Sequence, residues 1–358
     1  MRRALRLAER GRGRVNPNPM VGAVVVRAGR VVGEGWHRAP GAPHAEAMAL
    51  ARAGARARGA TMYVTLEPCA HVGRTPPCVD AIIAGGVRRC VVAIRDPHAI
   101  VDGRGLRRLR AAGVRVEVGL FAAEVEAQLA GYLMTQRSGR PRVTLKLATS
   151  LDGRIAPARG FARRGADRWL TGPAARRLAH RLRARSDAVV VGAGTARADD
   201  PRLTARGVGA ARQPLRVVCD TMLRLPVTLA LLRDPGRTVI ACGPRAPRRR
   251  QTALEARGAR VWRLGAGRGS TRAAGVPPAA LLRRLARAGC HEVLIEGGAA
   301  LAGAWLDARV VDRIVLMIAP TLLGRGGLAW GPSAARRGRF AALGRAGSDA
   351  VVVAAMEA

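Results

Sequence analysis

The chain has 358 residues, of which 49% are hydrophobic, and this combination predicts a globular protein large enough for two domains. Its formal net charge is +38, but the arginines are spread over every segment and aromatic residues make up only 3% of the chain. Single-stranded bases would therefore find few stacking partners, and we expect no specific nucleic-acid interface.

The amino-terminal segment predicts a short amphipathic helix over residues 4–10, without the apolar stretch of a signal peptide. The most apolar late run, residues 314–319, meets Pro320 and is too short to cross a bilayer. Four cysteines, Cys90, Cys219, Cys242 and Cys290, lie in or beside apolar runs, which indicates reduced thiols rather than disulfides. We therefore expect a cytoplasmic protein that does not bind membranes.

Strands and helices alternate along the first 140 residues. Strands are predicted at 21–27, 30–35, 60–66, 89–94 and 114–118. Helices are predicted at 44–58, 78–84, 106–112 and 122–136. This alternation predicts a sheet flanked by helices, which is a three-layer α/β domain.

One histidine and two cysteines between residues 44 and 78 carry the strongest functional signal. His44, Cys69 and Cys78 are suitable ligands for a tetrahedral zinc ion that leaves its fourth position to water. Glu46 lies two residues after His44 and so does not share its helix face, which favours proton transfer over metal binding. His-x-Glu followed by Pro-Cys is the signature of zinc-dependent base deaminases, although eight residues rather than two separate the cysteines here.

The composition changes at Ser138-Gly139-Arg140-Pro141, because glycine and proline end the preceding helix. We place a domain boundary there, giving residues 1–140 and 141–358. The second part again alternates strands with helices, which predicts another α/β domain. The glycine turn Glu296-Gly297-Gly298 precedes a predicted helix, where backbone N–H groups can approach a phosphate.

Residues 65–78, Thr-Leu-Glu-Pro-Cys-Ala-His-Val-Gly-Arg-Thr-Pro-Pro-Cys, resemble the deaminase half of the bifunctional riboflavin-biosynthesis deaminase/reductase family. The stretch Asn16-Pro17-Asn18-Pro19-Met20-Val21-Gly22 resembles the same family. In the second half, residues 149–156 and 192–204 resemble the dihydrofolate-reductase-like reductase half of this family. The resemblance implies an α/β protein with an amino-terminal three-layer α/β/α cytidine-deaminase-like domain and a carboxy-terminal dihydrofolate-reductase-like α/β domain.

The resemblance also implies site residues. It implies Zn²⁺ at His44, Cys69 and Cys78, with Glu46 as the catalytic proton carrier, and NADPH as the reductant. Cofactor contacts are implied for Thr149, Trp169, Thr195, Asp199, Thr221, Gly297, Gly298, Ala299, Ala300, Leu301 and Ala302. Contacts to a phosphorylated pyrimidine substrate are implied for Asn18, Arg74, Lys146, Asp167, Arg183, Leu203, Arg206 and Glu296. At Asp167 a serine is expected, so this position adds a negative charge.

Two other functions fit parts of the sequence. A tRNA or nucleobase zinc deaminase with an appended non-reductase domain would share the zinc motif, but the cysteine spacing and the second-half motifs speak against it. A non-catalytic basic binding protein would use the charge alone. A homo-oligomer is compatible with either enzyme.

Overall fold

The computed structural model describes residues 1–73, 75–158, 169–233, 237–265 and 275–357. The chain divides into two compact units, an amino-terminal unit, Met1–Gly139, and a carboxy-terminal unit, Arg140–Ala358. Both units are mixed α/β structures, which confirms the predicted fold class. Within the described ranges, none of the helices is both long and apolar enough to span a membrane.

The amino-terminal unit contains a five-stranded sheet in the order β2-β1-β3-β4-β5. Its strands are Gly22–Arg27 (β1), Arg30–Trp36 (β2), Thr61–Leu66 (β3), Arg89–Ile94 (β4) and Arg115–Val118 (β5). Strands β1 and β2 form an antiparallel hairpin, β1 also pairs antiparallel with β3, and β3, β4 and β5 run parallel. The unit's helices are Arg2–Glu9 (α1), Ala45–Ala53 (α2), Cys78–Ala84 (α3), Arg104–Ala111 (α4), Ala122–Gln128 (α5) and Ala130–Ser138 (α6).

Helices cover both faces of this sheet because side chains alternate across each strand. Ala23 and Val25 of β1 pack in one cluster with residues of α2, α3 and α4. Val24 packs on the other face with residues of α1. Residues of β4, α5 and α6 share a further cluster. The result is the three-layer arrangement that the alternation of elements predicts.

Two predicted helices differ in detail from the structure. The helix expected over 44–58 ends at Ala53, because Gly54 has φ +54°, and a short 3₁₀ helix, Gly54–Ala57, follows. The helix expected over 122–136 is two helices, α5 and α6, which meet at Leu129 with φ −99° and ψ 10°. Leu129 is buried in the same cluster as Val125 and Leu133, so the break occurs at a packed position that sequence periodicity does not distinguish.

The carboxy-terminal unit contains a nine-stranded sheet in the order β10-β9-β8-β7-β11-β6-β12-β14-β13. Its strands are Arg142–Ser150 (β6), Ala188–Gly192 (β7), Leu215–Cys219 (β8), Thr238–Cys242 (β9), Arg260–Arg263 (β10), Glu292–Glu296 (β11), Arg313–Ala319 (β12), Gly338–Ala346 (β13) and Asp349–Met356 (β14). Strands β6 to β12 run parallel to one another, whereas β14 pairs antiparallel with β12 and β13. The helices are Pro173–Arg185 (α7), Ala193–Asp199 (α8), Arg248–Glu255 (α9), Pro278–Arg287 (α10) and Ala299–Asp307 (α11).

The core of this unit lies on both faces of the parallel strands. Val190 and Ile295 pack on one face with residues of α10 and α11, and Val189 and Leu294 pack on the other with Leu254 of α9. Such burial on two faces explains the continuous apolar runs in the sequence. It also places the carboxyl ends of β6, β7, β8 and β11 along one edge of the sheet.

Candidate active sites

The three predicted metal ligands converge in the amino-terminal unit. His44 is the N-cap residue of α2, Cys69 lies in the segment after β3, and Cys78 is the first residue of α3. Nδ1 of His44 lies 3.2 Å from Sγ of Cys78 and 3.6 Å from Sγ of Cys69. A tetrahedral zinc ion with usual bond lengths would separate nitrogen and sulfur ligands by about 3.6 Å. The donor atoms and their spacing therefore fit zinc.

Hydrogen bonds from neighbouring groups control the protonation of the two cysteine sulfurs. The pKa of Cys69 is lowered, because the Cys78 thiol donates a hydrogen bond to its sulfur and His44 adds a second. The same shared proton raises the pKa of Cys78. The backbone N–H of Cys78 also donates to Sγ of Cys69 at 3.4 Å. The thiolate is the form that binds metals, so one of the two ligands is already favoured in that form.

Nε2 of His44 faces away from the sulfurs. It lies 3.5 Å from the hydroxyl of Thr75, in the segment between the two cysteines. A second ring nitrogen held in this way fixes the orientation of a metal-binding imidazole. In the same segment, Nδ1 of His71 is buried and has no hydrogen-bond partner among the residues that the structure describes.

Glu46 lies in the first turn of α2 and is only 3% exposed. Burial is the main cause that raises its pKa to about 7, with a further contribution from Cys69. His44 and Cys78 act in the opposite direction and lower the pKa of Glu46. A carboxyl group that titrates near neutrality can both accept and donate a proton at the pH of the cell.

Asn18 reaches this cluster through a histidine that the sequence analysis did not identify. Nδ2 of Asn18 lies 3.0 Å from Nε2 of His37, and the His37 ring lies 5.2 Å from the His44 ring in an edge-on arrangement. His37 is 3% exposed, and burial lowers its pKa. The sequence gives no clear signal for His37. It lies seven residues before His44, and this separation does not indicate that the two rings are neighbours. Arg74, the other predicted substrate contact here, lies outside the described residues.

Glu67 is a second residue that sequence reasoning missed. Its carboxylate is 4% exposed and accepts backbone N–H groups from Asp96, Gly103, Gly105 and Leu106. It lies two residues before Cys69, so these bonds fix the strand end that carries this ligand. An acidic residue directly after an apolar strand was the available signal.

The predicted cofactor residues of the carboxy-terminal unit collect at the carboxyl edge of its sheet. Thr149 lies near the end of β6, Thr221 follows β8, and Thr195 lies in α8 directly after β7. Oγ1 of Thr195 accepts the backbone N–H of Gly298, after β11, at 3.0 Å. A Cβ atom on Gly298 would lie 3.2 Å from this hydroxyl, so the glycine allows a close approach of the two segments.

The other cofactor positions differ in what their side chains contact. Ala302 is fully buried and Leu301 packs against the core, so their side chains serve the fold. Ala299 and Ala300 open α11, whose first-turn N–H groups have no hydrogen-bond partner in the described part of the chain and can bind an anion. Gly297 lies in the turn before Gly298, the N-cap residue of α11, and the remaining two positions lie in other segments. Trp169 is 50% exposed with the Arg176 guanidinium 5.3 Å from its ring centre, and Asp199 ends α8.

Three of the predicted substrate residues form a charged cluster. Glu296 at the end of β11 is in register with Lys146 of β6. Arg183 of α7 donates two hydrogen bonds to Glu296, at 2.7 and 2.6 Å. Burial alone would raise the pKa of Glu296, but the guanidinium of Arg183 reverses this effect and lowers it. Burial lowers the pKa of Lys146, while Glu296 acts in the opposite direction.

Leu203 and Arg206 belong to one irregular segment after α8. The Leu203 side chain is 1% exposed and packs in the core, and its φ of +53° is unusual for leucine. Only the backbone of Leu203 can therefore contact a substrate. The exposed Arg206 donates from Nη1 to the Thr204 hydroxyl at 2.7 Å. Asp167 lies outside the described residues.

Two protein families match the chain in consecutive parts. The family described as the cytidine and deoxycytidylate deaminase zinc-binding region matches residues 1–94, and the RibD C-terminal domain matches residues 141–352. The riboflavin biosynthesis protein RibD of Escherichia coli is 42% identical over 336 residues, covering 90% of this chain and 88% of that protein. The corresponding protein of Aquifex aeolicus is 39% identical, covering 91% of this chain and 87% of its own length.

Solved structures give the same result. Acinetobacter baumannii RibD superposes with a TM-score of 0.88 at 36% identity, over all of this chain and 98% of the other. A Thermotoga maritima diaminohydroxyphosphoribosylaminopyrimidine deaminase/5-amino-6-(5-phosphoribosylamino)uracil reductase superposes with a TM-score of 0.84 at 32% identity, over all of this chain and 97% of the other. A base deaminase with an appended non-reductase domain is not favoured, because the second half matches the RibD reductase. The chain belongs to the RibD family of riboflavin biosynthesis proteins, with a zinc-binding deaminase domain and an NADPH-dependent reductase domain.

Proposed function

We propose that the amino-terminal unit deaminates 2,5-diamino-6-(5-phosphoribosylamino)pyrimidin-4-one and that the carboxy-terminal unit reduces the ribosyl chain of the resulting aminouracil. The observation that carries this proposal is the convergence of His44, Cys69 and Cys78 next to the buried carboxyl of Glu46. The Thermotoga maritima relative is described with both of these activities. We assign the two activities to residues 1–140 and 141–358.

In the deaminase unit, His44, Cys69 and Cys78 would hold the zinc ion, which supplies an activated water molecule when bound. Glu46 takes one proton from this water and delivers it to the amino group that leaves as ammonia. Water adds to the ring carbon as the bond from carbon to the amino nitrogen breaks, so the net reaction is a hydrolysis. Asn18, oriented by His37, hydrogen-bonds the pyrimidine.

In the reductase unit, NADPH supplies the hydride when bound at the carboxyl edge of the sheet. The Thr195–Gly298 contact holds two loops of this edge together, and the first turn of α11 offers N–H groups to the cofactor's phosphates. Lys146 donates hydrogen bonds to the oxygens of the opened sugar and stabilises negative charge that develops there. Glu296, fixed by Arg183, lies in register with Lys146 on the neighbouring strand, and its charge favours the ammonium form of Lys146.

Arg206 is the residue that we assign to the substrate's phosphate. Its side chain is exposed at the surface, but partial desolvation and the charges of Arg183 and Arg202 lower its pKa. Three guanidinium groups in one region repel each other, and a phosphate dianion would relieve this repulsion. The planar fork of arginine also suits bidentate phosphate binding.

We place the protein in the cytoplasm as an enzyme of a small phosphorylated pyrimidine. All six cysteines are free thiols in the structure, which fits a reducing compartment. The direct test uses purified full-length protein with its zinc content measured. We expect about one zinc per chain and NADPH oxidation, followed at 340 nm, that begins only after the diamino substrate is deaminated. NADPH oxidation by zinc-free protein on the diamino substrate would contradict the proposed order.

A further inference from the structure

The segment that carries Arg206 is held from two sides. On one side, the Gln213 side chain pairs with the backbone of Ala205, accepting its N–H at 2.8 Å and donating to its carbonyl at 2.9 Å. On the other side lies His180 of α7, whose Nδ1 is 3.2 Å from the backbone nitrogen of Arg206 and 3.1 Å from the carbonyl oxygen of Thr204. The backbone at Arg206 is therefore fixed although its side chain is exposed.

The surroundings of His180 decide which of its two contacts is the hydrogen bond. The Thr204 carbonyl already accepts a hydrogen bond from Nη1 of Arg183 at 3.2 Å. The backbone N–H of Arg206 has no other acceptor in the part of the chain that the structure describes. We assign the tautomer with the ring proton on Nε2, because Nδ1 then accepts the Arg206 N–H and neither this N–H nor the Thr204 carbonyl is left without a partner.

The charges around His180 favour this neutral form. Burial lowers the pKa of His180, and the guanidinium groups of Arg183 and Arg206 lower it further, while the Thr204 carbonyl and Glu296 act in the opposite direction without reversing the shift. A protonated ring would place a third positive charge beside these two arginines. The acceptor at Nδ1 is thus maintained by the same cationic surroundings that attract a phosphate.

We propose that His180 is a positioning residue of the reductase, whose Nδ1 atom holds the Arg206 backbone so that the Arg206 guanidinium meets the substrate's phosphate. The inference rests on the proposed role of Arg206. Fixing the backbone before the substrate arrives removes an ordering cost that a mobile arginine would impose on binding. The bond between Nη1 of Arg206 and the Thr204 hydroxyl orients the guanidinium on the same segment.

A purely structural role for His180 makes a different prediction. A packing defect in α7 would lower thermal stability and disturb binding and turnover together. Loss of Arg206 positioning should instead raise the KM for the phosphorylated substrate and leave kcat nearly unchanged, because the phosphate is remote from the carbon that accepts hydride. Asparagine separates the two roles, because its Oδ1 lies at nearly the position of Nδ1 and can accept the same N–H.

The experiment measures reductase kinetics of the full-length protein with pre-deaminated substrate, with and without its phosphate. For His180→Ala we expect an increase of about tenfold in KM for the phosphorylated substrate and a kcat within about twofold of wild type. The KM for the dephosphorylated substrate should not change. His180→Asn should restore the wild-type KM. Arg181→Ala, at the next and exposed position of α7, is the matched control.

A double-mutant cycle with Arg206 shows whether His180 acts through this residue. If it does, His180→Ala combined with Arg206→Ala should show the same KM as Arg206→Ala alone. Additive losses would overturn the inference, as would a normal KM in His180→Ala beside a raised KM in Arg206→Ala. A normal KM in Arg206→Ala would overturn both this inference and the proposed phosphate contact, while reductase activity in the wild type would still support the proposed function.

Discussion

Oε1 of Glu67 accepts the backbone N–H of Gly105 at 3.0 Å, at a point where Gly105 passes very close to the zinc-ligand segment. A Cβ atom on Gly105 would lie 2.0 Å from the Pro68 carbonyl oxygen, so only glycine fits there. Because Pro68 directly precedes Cys69, the Glu67 carboxylate and Gly105 together fix the position of this metal ligand.

Glu67→Gln should therefore weaken zinc binding although Glu67 is not a ligand. The substitution replaces one carboxylate oxygen with an NH₂ group that faces backbone N–H donors, and each buried group left unsatisfied costs about 1–3 kcal/mol. We expect lower zinc occupancy after dialysis and a lower unfolding temperature of the amino-terminal unit. Glu117→Gln, which breaks an exposed pair with Arg89, is the matched control. Zinc retention equal to that of the control would show that Glu67 does not position Cys69.

Glu46→Gln should retain zinc and lose deamination. The amide has the size of the carboxyl but cannot carry a proton, and removing a general acid–base group typically costs on the order of 10²–10⁴ in rate. The measurement is deaminase kcat together with metal content, with Asp80→Asn on the surface of α3 as control. A rate within about threefold of wild type would mean that Glu46 is not the proton carrier.

The sequence predicted most elements around the metal ligands because their hydrophobic periodicity is local. It also predicted the convergence of His44, Cys69 and Cys78, because the types and order of these ligands are specific. It did not predict the role of Glu67, whose partners lie between 29 and 39 residues further along the chain. Contacts of this kind depend on which strands pair with each other, and hydrophobic periodicity does not indicate the pairing of strands.

In the carboxy-terminal unit, one ion pair is likewise distant in sequence, and three elements have no clear local pattern. The Arg183–Glu296 pair joins residues 113 positions apart. Strand β13 is exposed along nearly all of its length, so it lacks the alternation that identifies a half-buried strand. Helix α9 begins with three arginines, which hide its hydrophobic periodicity. Strand β10 is only four residues long, which is too short for a clear alternation. The assignments of cofactor and substrate contacts came from family resemblance and stay predictions.

Lys146→Arg should impair the reductase while leaving the charge unchanged. A guanidinium is wider than an ammonium and would have to share the space next to Glu296 with Arg183, which already binds this carboxylate in a bidentate manner. We expect reductase kcat/KM to fall at least about tenfold, equivalent to roughly 1.4 kcal/mol of transition-state stabilisation. Deaminase activity should be unchanged. The reverse exchange Arg142→Lys, at the other end of β6, tests whether any change of cation on this strand has the same effect. Equal reductase rates in Lys146→Arg and wild type would contradict the assigned role.

Gly298→Ala should weaken NADPH binding. The added methyl group would lie 3.2 Å from the Thr195 hydroxyl, so the two loops must separate by a few tenths of an ångström. We expect the KM for NADPH to rise several-fold with little change in deamination, measured by titration with NADPH at 340 nm. Gly344→Ala, where a Cβ would meet no atom within 4 Å, is the control. An unchanged KM for NADPH would place the cofactor's phosphates away from this turn.

The central claim is that the two activities belong to separate units and that only the deaminase needs zinc. Cys69→Ser tests this claim most directly. The measurement compares NADPH oxidation by the full-length variant on the diamino substrate and on the pre-deaminated substrate, together with zinc content. We predict loss of zinc, no NADPH oxidation with the diamino substrate, and a wild-type rate with the pre-deaminated substrate. Retained zinc with wild-type rates on both substrates would contradict the assignment of His44, Cys69 and Cys78 as the deaminase metal site.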